Sequence, residues 1–167
     1  MEPVLPKVSQ EIDRLGKLVV ALREYMQDNE ETNYLIEGQE FSDKQLQTFI
    51  LLALDYYNTA VTPLAISATI MTFPSLSLWL DGASIFALKS AIHKFNRNSF
   101  QYNDSGTQVA VEEKAQDYER TLQRVLAEFR TSAQAIKENI NLEGCYGGFS
   151  SEYLNIYAVG RTHITGQ

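Results

Sequence analysis

The sequence predicts a mainly α-helical protein: an antiparallel helical bundle with one long C-terminal helix, a short extended or β excursion near 60–74 and an extended C-terminal arm. Three observations lead there. Apolar residues recur at steps of three and four over long stretches, which is the period of one helix face. The charge-free stretch 56–80 is interrupted by Pro63 and Pro74 and alternates large with small or polar side chains between them. From Gly144 to Gln167 the chain holds one acid, one base, five glycines and four aromatics. Such a segment is too poor in charge to be well solvated and too rich in glycine to form its own core. The division read from this is a bundle domain over 1–143, with the insertion 60–74, and a docking arm over 144–167.

Each element has its own signal. Val8, Ile12, Leu15, Val19, Leu22 and Met26 mark the first helix, ended by the polar acidic loop 27–33. Ser42 followed by Gln45 is a capping box, and Leu46, Phe49, Ile50, Ala53, Leu54 and Tyr57 form the stripe of the second helix. In the excursion, Leu64, Ile66, Ala68 and Ile70 alternate with Ala65, Ser67 and Thr69, a strand-like pattern. A strand cannot satisfy its own backbone, so this one is expected to need a partner strand. A third helix is expected just after Pro74 and runs to about Arg97. It is apolar nearly all round, as a central buried helix should be. Lys89, Lys94 and Arg97 lie toward its end, where the helix dipole favours positive charge. Residues 96–106 read as a turn-rich loop. Val111, Ala115, Tyr118, Leu122, Val125, Phe129, Ala133, Ile136 and Ile140 then mark one seam from about Gln108 to Leu142, a helix of roughly 50 Å. Lys137 sits near its end, as the dipole prefers, and Gly144 is the expected stop.

Composition excludes several functions. The chain has 167 residues, 44% of them hydrophobic and 21% charged, which suits one globular domain. Its net charge of −7 argues against wrapping nucleic acid through a basic face. Residues 1–58 carry eleven acids and five bases, either a solvated acidic face or a surface that repels phosphate. The one cysteine, Cys145, rules out an intramolecular disulfide, and with two histidines a Cys/His zinc site within one chain is not expected. "MEPVLPKVSQ" lacks the basic start and apolar run of a leader. Residues 56–80 have the length of a membrane span, but two prolines and seven Ser or Thr favour a buried or partner-facing segment, so no membrane partner is expected. No phosphate-binding loop, His-Glu-x-x-His motif or nucleophile elbow is present, and Cys145 and His93 have no identifiable catalytic partner. The chain reads as a non-enzyme without cofactor or metal.

Two groups of residues are candidates for binding. Tyr146, Phe149, Tyr153, Leu154, Ile156 and Tyr157 space large anchors along the arm, and "YLNIYAV" alternates as a strand added to a neighbour's sheet edge would. The arm either docks on another chain, the favoured reading, or folds back on its own bundle. The second group is acidic: Glu24, Asp28, Glu30, Glu31, Glu37 and Glu40.

The segments "EFSDKQLQTFILLALDYYNTAVTP" (40–63), "FPSLSLWLDGASIFALKSAIHKFNRNSFQYNDSG" (73–106), "VEEKAQDYERTLQRVLAEF" (111–129) and "NLEGCYGGFSSEY" (141–153), in that order, resemble the head–tail connector, or adaptor, proteins of the neck of tailed bacteriophages. The resemblance implies a helical subunit assembled as a ring, usually a dodecamer, under the portal protein. Such a ring extends the channel for double-stranded DNA, which passes without specific binding, and presents a surface to the next neck or tail protein. It implies a protein made in the host cytoplasm and located in the virion neck, whose C-terminal arm reaches into the portal or along a neighbour. The acidic group would then line or rim the channel. The excursion at 60–74 is larger than a minimal adaptor requires. It leaves open a stopper, tail-terminator or tail-completion role; a cytoplasmic regulatory bundle is the alternative from another class.

Overall fold

The computed structural model describes residues 5–31, 33, 38–98, 103–104, 107–108 and 112–146. Among them, helix α1 spans Leu5–Met26, α2 Asp43–Thr59, α3 Leu76–Asn98 and α4 Glu112–Tyr146. Two-residue strands β1 (Asn103–Asp104) and β2 (Thr107–Gln108) pair antiparallel between α3 and α4. The mainly helical bundle and its long last helix match the fold expected from periodicity.

The first helix follows its apolar stripe only in part. Leu18, Val19 and Leu22 are buried, whereas Val8 and Ile12 on the same stripe are exposed. No described element covers the first turns, so a continuous buried face, as expected from the spacing, is not formed. At the other end Gln27 takes a positive φ of 57°, a conformation that favours glycine. Its N–H donates to the Glu24 carbonyl (3.2 Å) and the Asp28 N–H to the Arg23 carbonyl (3.1 Å), a paired closure of the last turn.

The second helix begins at the capping box expected from "SDKQ". The Gln45 N–H donates to Ser42 Oγ, and the Ser42 N–H donates to Gln45 Oε1 (2.9 Å). Leu46, Phe49, Ile50, Ala53 and Tyr57 are its buried positions. The chain then leaves helix over 60–75. The expected partner strand does not appear among the described residues. Instead Asn58 acts as its surrogate: its Nδ2 donates to the Ala68 carbonyl (2.9 Å) and its Oδ1 accepts from the Ala68 N–H (2.8 Å). One amide side chain thus supplies the two-bond pairing that a strand neighbour would give. Phe73 closes the excursion by tucking between Tyr57 and Trp79, at ring separations of 4.8 and 4.5 Å.

Ser75 opens α3. Its hydroxyl and carbonyl accept from the N–H groups of Leu78 and Trp79, and Pro74 stands one residue outside rather than in the first turn. This helix packs on all three others, which is why its apolar residues run nearly all round. Trp79 is fully packed and donates its indole N–H to the Ile50 carbonyl (2.9 Å). At Gly82 an added Cβ would lie 2.8 Å from the Phe129 ring and 3.1 Å from Ala53 Cβ, so the lack of a side chain lets α2, α3 and α4 converge. Phe95 stacks on Tyr118 at 5.5 Å, so α4 runs back along α3.

The last helix begins at Glu112 rather than near Gln108, because residues 107–108 pair with 103–104. It also continues through Gly144 to Tyr146. A glycine within a helix costs about 1 kcal/mol relative to alanine, which is a weakening and not a stop. The boundary read at 143/144 therefore falls inside α4.

Candidate interaction surface

The two ends of the bundle differ in what they show to solvent. At the end formed by the α1–α2 connection, irregular backbone is held by a buried charge pair. Arg23 Nη1 donates to Asp28 Oδ2 (2.9 Å), and its Nη2 donates to Asp43 Oδ1 (2.6 Å) and the Phe41 carbonyl (3.0 Å). Asp28, only 4% exposed, also accepts from the N–H groups of Glu40 (2.6 Å) and Phe41 (3.1 Å) and from Asn33 Nδ2 (2.7 Å). Pairing and full hydrogen bonding are what make burial of these two charges tolerable.

At the opposite end, α4 holds the excursion. Lys137 is 0% exposed and donates from Nζ to the Ala60 carbonyl at 2.6 Å, just past the end of α2. Its ammonium lies 4.8 Å from the centre of the Tyr57 ring. The cation thus serves the C-terminal dipole of α2, not that of its own helix as the sequence suggested. Asn141 Nδ2 donates to the Pro63 carbonyl (3.0 Å), and Arg14 Nη1 to the Met71 carbonyl (2.8 Å). Between these anchors Val61 adopts a positive φ of 51°, an outlier for a β-branched residue. Around them Val61, Met71, Leu76, Ile140 and Leu142 are exposed, and Ile66 is 84% exposed. Exposed apolar side chains beside backbone at positive φ make this end the candidate surface.

Burial and partners shift several groups. Loss of solvation lowers the Lys137 pKa and raises that of Tyr57, whose hydroxyl has no hydrogen-bond partner among the described residues. Tyr25 is pushed up to about 12, chiefly because its hydroxyl donates to Asp81 Oδ1 at 2.6 Å. Tyr118 is raised by burial and by the nearby Glu40 carboxylate.

The acidic candidates separate on this framework. Glu24, Glu30 and Glu31 are exposed. Asp28 is not on any face, because its carboxylate is consumed inside the α1–α2 connection; this removes it from the expected channel lining. Glu40 is partly buried, 3.9 Å from Lys94, and Glu37 lies outside the described residues. Of the arm candidates, Tyr146 is the last residue of α4, while Phe149, Tyr153, Leu154, Ile156 and Tyr157 lie outside the described residues. Cys145 is exposed in the final turn. His93 is exposed on α3. No group of His, Cys, Asp and Glu among the described residues could hold a metal ion, and no helix there is long and apolar enough to cross a membrane.

Sequence reasoning passed over Lys137, Asn58 and Arg23 as organisers. Only Lys137 carried a signal: it falls four residues after Ala133 and eight after Phe129, on the buried seam where a lysine is out of place. Comparison with family models, with characterised proteins and with solved structures finds no match.

Proposed function

We propose that this chain is a structural assembly subunit of a phage neck: a head–tail adaptor that forms a ring under the portal and extends the DNA channel. The observation that carries this reading is the apolar end of the bundle. Ile66, Met71, Leu76, Ile140 and Leu142 are exposed there, beside the last turns of α4, from which the low-charge segment 147–167 continues. A surface of this kind is suited to burial against another protein, and a segment carrying Phe149, Tyr153 and Tyr157 is suited to ordering on docking. The particular assembly is taken from the resemblance of the segment order to adaptor proteins. Exposed Glu24, Glu30 and Glu31 are compatible with a channel rim that does not hold phosphate.

The test is assembly with a portal ring. Purified chain is expected to co-sediment with portal and to add a ring of density in electron micrographs; deletion of residues 147–167 is expected to abolish docking and leave the helical circular-dichroism signal. A chain that stays monomeric and ignores the portal overturns the reading. Density in another layer of an intact neck would reassign it to a stopper or tail-terminator role.

A further inference from the structure

Two stretches of this chain alternate as strands do and lack a partner strand in the sequence around them. Leu64 to Ile70 is one, and "YLNIYAV" (153–159) is the other. Asn58 stands in for a neighbouring strand at Ala68 alone. Among the described residues, nothing accepts from the N–H groups of Leu64, Ala65, Ile66 or Ser67. Ala65, Ile66 and Ser67 are exposed, so this edge of the excursion is open.

The end of α4 delivers the arm to that edge. Lys137 and Asn141 donate to the carbonyls of Ala60 and Pro63, which sets the last turns of α4 against the start of the excursion. Tyr146 ends the helix little more than one turn later. A shallow concavity of about 340 Å³, lined by Glu138, Asn141, Leu142 and Cys145, lies on these turns. Gly147 and Gly148 follow at once, and glycine accepts the positive φ that reverses a chain leaving a helix. Residues 147–152 then span up to about 20 Å when extended, enough to bring "YLNIYAV" alongside 64–67.

Charge and tethering select the same occupant. Glu152 and Arg161 cancel, so 147–167 is neutral and the whole of the −7 lies in 1–146. The excursion belongs to the charge-free run 56–80. The body of a second copy would bring net negative charge toward an identical body, whereas the neutral arm meets no such repulsion. A short flexible tether also holds the arm at an effective concentration on the order of millimolar.

We propose that in the free subunit the arm turns back at Gly147 and Gly148 and pairs "YLNIYAV" with the open edge 64–67 of its own chain. Its aromatic and aliphatic side chains then cover Ile66, Met71, Ile140 and Leu142, which are otherwise exposed. The inference rests on the assembly reading and adds a control to it: arm and apolar end cover each other until a partner takes their place.

Amide hydrogen exchange on the full chain tests this. The N–H groups of 64–67 should exchange at least about tenfold more slowly than in a free peptide of the same sequence, equally at low and high protein concentration. Ile66→Asp and Tyr153→Asp/Tyr157→Asp should each remove that protection and raise binding of a hydrophobic dye. Ile66 is exposed, so an unchanged helical circular-dichroism signal in its variant separates lost contact from lost fold. Exchange at the free-peptide rate, or protection indifferent to both variants, overturns the inference. Protection that falls on dilution also overturns it, because the arm then comes from a second copy. A chain that docks on the portal without protection at 64–67 leaves the adaptor reading standing and removes only this contact. Protection in a chain that ignores the portal keeps the contact and removes the adaptor reading.

Discussion

The two ends of this bundle solve one problem with opposite surfaces. Each must hold irregular backbone between helices, and each does so with a buried cation: Arg23 at the α1–α2 connection and Lys137 at the 60–75 excursion. Arg23 is neutralised by Asp28 and Asp43. Lys137 has no carboxylate partner among the described residues and is satisfied by the Ala60 carbonyl and the face of Tyr57. The first end is closed by charge and shows acids to solvent. The second is closed by neutral bonds and shows apolar side chains. A self-sufficient charge pair suits a surface facing water, whereas an end exposing Ile66 and Leu142 leaves apolar area in contact with solvent.

The comparison breaks most visibly at Asp28. Asp28→Ala takes from the buried Arg23 its buried carboxylate partner, leaving only Asp43 and the Phe41 carbonyl, and leaves the Glu40 and Phe41 N–H groups without their acceptor. We expect a loss of about 3–5 kcal/mol in denaturant unfolding. Lys137→Met should be milder, about 1–3 kcal/mol, because it removes a hydrogen bond and a cation–ring contact but relieves the desolvation of a charge. If the two losses proved equal, the ends would not differ in the way described.

A smaller effect sharpens the second end. Val61→Gly removes the strain of a β-branched residue at positive φ, about 1–2 kcal/mol, against a glycine entropy cost of about 0.5–1. The net expectation is a gain of up to about 1.5 kcal/mol in thermal unfolding. If Val61 contacts a neighbour, the same substitution should weaken assembly while raising subunit stability.

The smallest effect is in alkaline titration. The Tyr25 pKa is raised from 10.0 to about 12, so between those values the folded chain holds a proton that the unfolded chain has released. Its contribution to stability is complete below pH 10 and lost as pH rises toward 12. Tyr25→Phe should therefore flatten part of the decline in that window, and tyrosinate absorbance titrating near pH 12 should be lost with it.

Much of the fold was legible because it is written in local periodicity. The Ser42–Gln45 box, the stripe of α2, the all-round apolar character of α3 and the middle of the α4 seam each depend on spacing along the chain and are where they were read; the seam fails at its end, where Ile140 is exposed. The candidate site was less legible. Val8 and Ile12 have the same helical spacing as Leu22, yet only the neighbours of α1 decide that Leu22 is covered. The alternation at 64–70 looked like a strand seeking a strand, and the surrogate turned out to be one asparagine ten residues away.

By itself, then, the sequence determined the helices, the place where helix is abandoned and the separation of acids from bases, because propensity, capping and charge order are properties of neighbours in the chain. Only the tertiary structure decided which charges matter. Asp28 and Glu30 are both carboxylates in the same acidic loop, yet one is sealed against Arg23 and the other stays exposed to solvent. Lys137 looked like a favourable charge on its own helix, and packing turned it toward the end of another. Burial sets the cost of a charge, and burial is created by contacts between residues far apart in sequence.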